Sequence, residues 1–389
     1  MEIRCGSEAK GDCLVVADSD AGPKIDVSTK GEQLLEAGLR AVVEETLEAL
    51  DATGLSLEIT DRGALDYVIT ARIETAVRSA CPKTAPIEPT VERPRSERDR
   101  PRRSRLYTPG SNPRLLAGVD VFGADCVLLD LEDSVPPQEK VAARILVKHL
   151  LAAVPFAEEV WVRINPLESC GLEDLAEVLR GHPHGICLPK AECEGDVAQL
   201  AAELDRLEKE FGRPVGSTWI MPIIETARGV LGAAEVAAAD PRVVIVAFGA
   251  EDYMRDIGAV RTSAALAYAR AKIVAAAAAA RAQSSDTVYA DAANMAGLIE
   301  EANQARELGF DGKGAINPRQ IAPIHRAFSP AKDELSQAQA IVAAADAAEK
   351  QGLGAVAIDG KMVDKPVLDR ARRVLKYAEK LARGGGRDA

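Results

Sequence analysis

No stretch of the sequence is both apolar enough and long enough to span a bilayer. The best candidate, KIVAAAAAAR at 272–281, is short and bracketed by Lys272 and Arg281, which excludes a membrane helix there. The N-terminus, MEIRCGSEAKGD, lacks a basic stretch followed by an apolar one, so no secretory signal is expected and a cytoplasmic location is. Histidine is scarce. His149, His182, His184 and His325 show neither HExxH spacing nor a Cys/His cluster, which argues against zinc. His182 and His184, in GHPHG, read as caps of a helix-to-strand turn. The seven cysteines (Cys5, Cys13, Cys81, Cys126, Cys170, Cys187 and Cys193) form no CxxC pair, and Cys126 and Cys187 lie inside apolar runs. Reduced, structural cysteine is the reading, rather than a disulfide framework. A net charge of −12 argues against general nucleic-acid binding. Anionic small molecules stay open, because a local site can oppose the mean charge.

The chain has room for two domains. A break falls at 82–104, PKTAPIEPTVERPRSERDRPRRS, where prolines, alternating charges and the lack of periodicity predict an extended linker rather than a packed element. Residues 1–81 carry strand-like runs CLVVA, KIDVS and LSLEIT. Two amphipathic helical stretches accompany them, one with Leu34, Leu35, Leu39, Val42, Val43, Leu47 and Leu50 on a single face, and the other ALDYVITARIETAVRSA. A small α+β domain is expected there.

From residue 105 to about 330, short β-rich runs recur: RLYTP, CVLLDLED, VWVRIN, GICLPK, TWIMPIIE, RVVIVAFG, TVYADA and GAINP. Helical stretches separate them, which predicts parallel crossover units and, at this count, a closed (β/α)8 TIM barrel. An open doubly wound sheet is the alternative, but no glycine-rich dinucleotide turn follows the first strand. Residues 331–389 are predicted to be a helical extension.

Several of these apolar runs stop on charged groups. In a barrel, functional side chains sit at the C-terminal ends of the strands. Those ends read Thr108; Asp130, Glu132 and Asp133; Arg163 and Asn165; Lys190; Glu225; Glu251 and Asp252; Asp291; Asn317. One carboxylate at a strand end is ordinarily solvated or caps a helix. Glu225 and Asp252 close consecutive strands, and two facing carboxylates repel unless one is protonated or a cation lies between them. A hard ion such as Mg2+, which keeps waters and takes one or two protein carboxylates, suits them. Arg163 ends an apolar strand and needs an anion, either a substrate carboxylate or enolate, or Glu132. Lys140, Arg144 and Lys190 offer a basic patch for a phosphorylated cofactor, or Lys140 and Arg144 form the wet face of a helix. Asp364, in GKMVDKP, reads from the residues alone as an N-cap for the terminal helix.

RSRLYTPGSN, CVLLDLEDSVPPQEKVAAR, VRIN, LPK, PIIET, AFGAEDYMRDIG and GKGAINPRQI, in this order, resemble the beta-subunit (citryl-thioester lyase) branch of the HpcH/HpaI aldolase–citrate lyase superfamily. The resemblance runs from about residue 103 to about residue 380. It implies a Mg2+-dependent barrel lyase that cleaves a 3-hydroxyacyl-CoA thioester. Glu225 and Asp252 match metal ligands, and Arg163 matches the substrate-binding arginine. Glu132 and Asp133 match acids that organise the metal's water shell. Asp364 matches a catalytic acid/base delivered across a trimer interface. One motif departs from the family: Ile316-Asn317-Pro318 stands where Ile-His-Pro is usual.

The first domain is similar to the citrate lyase acyl carrier (gamma) subunit, through DRGALDYVITARIETAV and GSEAKGDCLVV. That resemblance implies a phosphoribosyl-dephospho-CoA arm on a serine two residues before the aspartate. Lys10 holds that position, in Lys10-Gly11-Asp12, and an ammonium cannot accept a phosphodiester; Ser7 aligns elsewhere. The arm is therefore not expected, and the lyase would act on free CoA thioesters, foremost citryl-CoA, with malyl-CoA or citramalyl-CoA as alternatives. A citrate lyase alpha (transferase) subunit is the implied protein partner, and a non-catalytic carrier or scaffold is the reading from a different class.

Overall fold

The computed structural model describes residues 2–384, apart from 19–20, 30–32, 53, 351–355 and 359–360. The first domain runs β1 (Glu2–Gly6), β2 (Cys13–Asp18), β3 (Lys24–Thr29), α1 (Gln33–Ala49), β4 (Ser56–Asp61) and α2 (Asp66–Ala80). Its sheet has the order β1-β2-β4-β3, antiparallel except for the β3–β4 pair. Strand β1 was not anticipated: EIRCG does alternate, with Ile3 and Cys5 turned inward, but only Cys5 is fully buried, and two apolar residues make too short a signal. On α1, Leu39, Val43 and Leu47 are buried as the pattern predicts, as is Leu50 in the turn just after it. The side chains of Leu34 and Leu35 lie outside the described residues.

Helix α2 is buried on two sides, for a physical reason. Ile69, Ile73, Ala76 and Val77 join the first domain's core, while Tyr67, Val68 and Ala71 pack into the core of the second. Burying each larger apolar side chain stabilises by roughly 1.5–3 kcal/mol. The same seam carries buried charge. Glu74, 0% exposed, accepts from Lys148 Nζ at 2.6 Å and pairs with His149 Nε2 at 2.5 Å. Lys148 also reaches Glu177 at 2.7 Å, and Arg78 joins Glu74 to Glu177 at 2.9 Å each. Burial alone would raise the Glu74 pKa, but His149 and Lys148 more than offset it and hold it down to about 2.

Residues 81–103 contain no helix or strand, yet they are not a free spacer. Arg93 donates to the carbonyls of Leu151 (2.9 Å) and His182 (2.7 Å). Arg95 stacks on the Trp219 ring at 3.5 Å, and Arg98 reaches the carbonyl of Val243 at 3.2 Å. Arg102 forms a fully buried pair with Glu159 at 2.6 Å. Apart from Leu151, in the last turn of helix Lys140–Ala153, these partners lie at or just before the N-terminal ends of strands, so the segment floors the second domain. Its arginines satisfy carbonyls that helix ends leave open, which is why a Pro/Arg-rich composition reads as a spacer but behaves as a strap.

The second domain is a closed TIM barrel. Its parallel strands are β5 (Ser104–Pro109), β6 (Cys126–Asp130), β7 (Glu159–Arg163), β8 (Gly185–Leu188), β9 (Trp219–Ile224), β10 (Ile245–Phe248), β11 (Gln283–Asp286) and β12 (Gly312–Ala315), and β12 pairs with β5. Period-two alternation fixes what faces the axis. Cys126 and Leu128 point inward on β6, Trp161 on β7, and Trp219, Met221 and Ile223 on β9, forming one interior cluster. Two residues further on, the same rows deliver Asp130, Arg163 and Glu225 to the mouth. Gly185 is demanded by this filling, because a Cβ there would stand 2.2 Å from the Trp161 ring.

One strand differs from expectation. The seventh was predicted at TVYADA; it is Gln283–Asp286, four residues upstream. QSSD carries no apolar signal because its polar groups are satisfied in place: Asp286 binds Arg270 at 2.8 Å and Lys313 at 2.7 Å. Asp291 is therefore not at a strand end; it accepts from the Ala293 N–H in an exposed turn.

After the barrel come helices Ile321–Phe328 and Lys332–Lys350, a short hairpin of β13 (Val356–Ile358) with β14 (Lys361–Val363), and helix Lys365–Gly384. The expectation named only helices there. Among the described residues no helix is long and apolar enough to cross a membrane.

Candidate active site

The barrel's C-terminal mouth opens into a cavity of about 450 Å³, walled by Tyr107, Thr108, Asp130, Asp133, Arg163, Glu225, Asp252 and Thr287 among others. Arg163 is its most constrained cation. Nε and Nη2 hold Asp130 in a two-pronged pair at 2.6 and 2.8 Å, and Nη1 lies 2.9 Å from Glu132 Oε2. The sequence left Arg163 to a substrate or to Glu132; Asp130 is the partner it did not identify. Burial opposes ionisation of Asp130, and Arg163 overrides it, keeping that pKa below the usual carboxylate range. Asp130 also accepts from the N–H groups of Glu132 (3.0 Å) and Ser134 (3.2 Å), which folds the LEDS turn back over the mouth.

Glu225, 2% exposed, follows β9 and accepts the Lys190 N–H on Oε1 at 2.8 Å. Burial first, then the charges of Glu132 and Asp252, push its pKa up to about 7, against the Lys190 N–H and Arg163. Lys190 sits at φ +52°, a left-handed conformation that side chains seldom adopt, and its Nζ pairs with Glu132. One strained residue thereby ties Glu225 by its backbone and Glu132 by its side chain. Gly249 closes the other side of Glu225, where a Cβ would stand 2.5 Å from Oε2. Asp252, in the first turn of helix Ala250–Ile257, is partly exposed and holds Arg255 at 2.5 Å.

Asp133 is mostly exposed and 4.0 Å from Arg163 Nη1. Glu251 turns to Arg261 at 2.9 Å. Asn165 donates to the carbonyl of Leu131 and to Asp174, at 2.9 and 2.7 Å, so it braces the LEDS turn. Lys140 and Arg144 do not line the cavity. Lys140 Nζ donates to the carbonyls of Leu131 (2.7 Å) and Glu132 (2.6 Å), and the buried Arg144 pairs with Asp174 at 3.1 Å. Both the phosphate-patch and wet-face readings give way to a buttress beneath Glu132; Lys190, just past β8, does not line the cavity either, but holds Glu132 and Glu225, the latter of which does. Asn317 caps the turn after β12 by accepting from the Arg319 N–H at 3.0 Å. Asp364 is exposed, accepts from the Val367 N–H at 3.1 Å, and does not line the mouth of its own chain. Asp286 and Thr287, which do line it, were missed with β11.

Among the described residues no group of three or more His, Cys, Asp or Glu side chains is gathered to hold a metal. The donor set is two carboxylates and open space, which fits an ion that keeps most of its waters and misfits zinc. Glu225 is a carboxyl that its surroundings drive toward neutrality, and a neighbouring dication is what would keep it ionised.

The HpcH/HpaI aldolase/citrate lyase family matches residues 103–318, and the malonate decarboxylase delta subunit (MdcD) family matches residues 1–80. Citrate lyase subunit beta of Escherichia coli (strain K12) is 44% identical over 284 residues, 72% of this chain and 94% of that protein. The mitochondrial citramalyl-CoA lyase of Homo sapiens is 33% identical over 295 residues, 72% of this chain and 86% of that one. A crystal structure of CitE from Mycobacterium tuberculosis with magnesium, acetoacetate and coenzyme A has a TM-score of 0.59 at 32% identity, covering 73% of this chain and 100% of that chain.

Proposed function

This chain belongs to the HpcH/HpaI aldolase/citrate lyase family, a carbon–carbon lyase of CoA thioesters, and on that premise we propose that it cleaves citryl-CoA to oxaloacetate and acetyl-CoA. The observation that carries the reading is that Glu225, just after β9, and Asp252, in the helix that follows the adjacent β10, line one cavity with Arg163. Glu225 and Asp252 are the residues that would hold Mg2+. When bound, the ion supplies Lewis acidity toward the substrate's hydroxyl and the carboxylate beside it.

The remaining work falls to side chains. Lys190 and Gly249 orient Glu225 from its two sides. Arg163, whose Nε–Nη2 edge is taken by Asp130, has Nη1, beside Glu132, to reach the carboxylate of the departing oxo-acid. A base must take the hydroxyl proton as the carbon–carbon bond breaks. The hydroxyl carbon becomes the ketone of oxaloacetate, and the bonding pair passes to the acetyl thioester as its enolate, which then takes a proton. We assign the base to Asp364 of a neighbouring copy, because within one chain it stands exposed and away from the mouth. This assignment requires a homo-oligomer, and a trimer is the family expectation. Lys10, in place of a modifiable serine, supports use of free CoA thioesters rather than a tethered arm, whether or not an alpha (transferase) subunit also binds.

Turnover of citryl-, malyl- and citramalyl-CoA by the purified chain with Mg2+ tests the proposal. Citryl-CoA should give the highest kcat/KM. Preference for citramalyl- or malyl-CoA would transfer the reading to those substrates, and no turnover of any would leave a scaffold.

A further inference from the structure

A second cavity, about 750 Å³, lies between the two domains. One wall is the Gly6–Asp12 turn of the first domain; the other is formed by Ser111–Arg114 after β5 and by 138–142. Its charges are unequal. Asp12 is neutralised by Arg72 at 2.9 and 3.2 Å. Arg4, Lys10 and Arg114 then face Glu139 alone, a positive balance in a chain of net charge −12. Arg4 has a surface partner, Glu2, at 3.2 Å; Lys10 and Arg114 have no ionic partner among the described residues.

The wall from the first domain is fixed. At φ +84° Gly11 faces the barrel across ordinary van der Waals distance, a Cβ on it standing 4.0 Å from the Arg114 Cα. The Glu74–Lys148–Glu177 cluster locks α2 onto the barrel. The two cavities also flank the same pair of loops. Pro109 and Ser134 line the mouth, whereas Ser111 and Gln138 line the cleft. A ligand with a reactive end and a long arm can therefore cross those loops and occupy both.

We propose that this cleft binds the phosphate-bearing nucleotide end of the CoA thioester noncovalently, with Lys10 and Arg114 as the phosphate partners and the acyl end in the mouth. The inference rests on the CoA-thioester reading above. A lysine supplies a point charge and an arginine a planar fork, a pairing suited to phosphate oxygens. Lys10, which cannot carry a phosphodiester, can pair with one. The first domain is then part of the substrate site rather than a swinging carrier.

Calorimetric titration of CoA, and separately of pantetheine, into the full chain tests this. Lys10 and Arg114 are exposed, so the Lys10→Ala/Arg114→Ala double variant should fold. It should bind CoA on the order of 10–100-fold more weakly, the loss of charge-assisted hydrogen bonds, with pantetheine affinity unmoved. Lys10→Arg should retain most of the CoA affinity. Unchanged CoA affinity in the double variant, an equal loss for pantetheine, or no CoA binding by the wild type would each overturn the proposal. A wild type that binds CoA in this way but cleaves no thioester would remove the lyase reading and leave the cleft standing. Turnover of citryl-CoA with CoA affinity indifferent to the double substitution would do the reverse.

Discussion

Gly249 lies against Glu225 so closely that a Cβ on it would stand 2.5 Å from the carboxylate's Oε2 and 2.7 Å from its Cβ. Those atoms cannot share the space, so the carboxylate would have to move. Gly249→Ala should leave the barrel folded and lower kcat by about 10²-fold, the order expected when a site group shifts by about 1 Å. Steady-state kinetics at saturating Mg2+ check this. Wild-type kcat would show that the placement of Glu225 is immaterial.

Arg163→Lys tests whether geometry or charge matters at the mouth. A lysine keeps the charge but cannot hold Asp130 by two parallel bonds while reaching Glu132. We expect kcat/KM to fall about 10²-fold, from losing hydrogen bonds to charged groups worth roughly 1.5–3 kcal/mol. Full activity would mean that a positive point charge suffices.

The seam between the domains predicts a pH signature. Glu74 is held at about 2, below its ordinary 4.5, so its ionised form favours the folded state. Its contribution is fully present above the unfolded value of 4.5 and is lost as pH falls toward 2. Glu74→Gln should lower Tm at pH 7, as expected when a buried pair costing about 3–5 kcal/mol to break loses one partner. The Tm gap to wild type should narrow as pH drops below 4.5. A gap that stays constant with pH would assign the loss to packing alone.

Intact mass addresses the first domain. Protein expressed alongside a prosthetic-group transferase should show the mass of the unmodified sequence, because Lys10 and not serine holds the attachment position. An adduct at Ser7 or elsewhere would return the carrier role to this domain.

The fold was legible wherever apolar runs were closed by charge. Alternation through Cys126, Leu128 and Asp130, or through Met221, Ile223 and Glu225, already says which side chains reach the mouth. Strand β11 was not legible, because QSSD is held by Arg270 and Lys313 through Asp286 and so needs no apolar residues. Arg163 was recognisable as needing an anion, but its choice of Asp130 depends on two neighbouring strands in register, which no local pattern encodes. Lys140 and Arg144 misled for a related reason: spacing on a helix does not reveal that one stem curls back to the carbonyls of Leu131 and Glu132 while the other meets Asp174. The arginines of 81–103 carry the same lesson, since composition says what a segment is made of and not which carbonyls wait for it.

The central claim is a divalent ion held between Glu225 and Asp252. Its most direct test is calorimetric titration of Mg2+ into EDTA-treated wild type, Glu225→Ala and Asp252→Ala, with citryl-CoA turnover followed in parallel. Wild type should lose turnover on chelation and regain it with one ion bound per chain, while neither variant binds the ion or recovers. Undiminished turnover by metal-free wild type, or Mg2+ binding by both variants as tight as wild type, would contradict it.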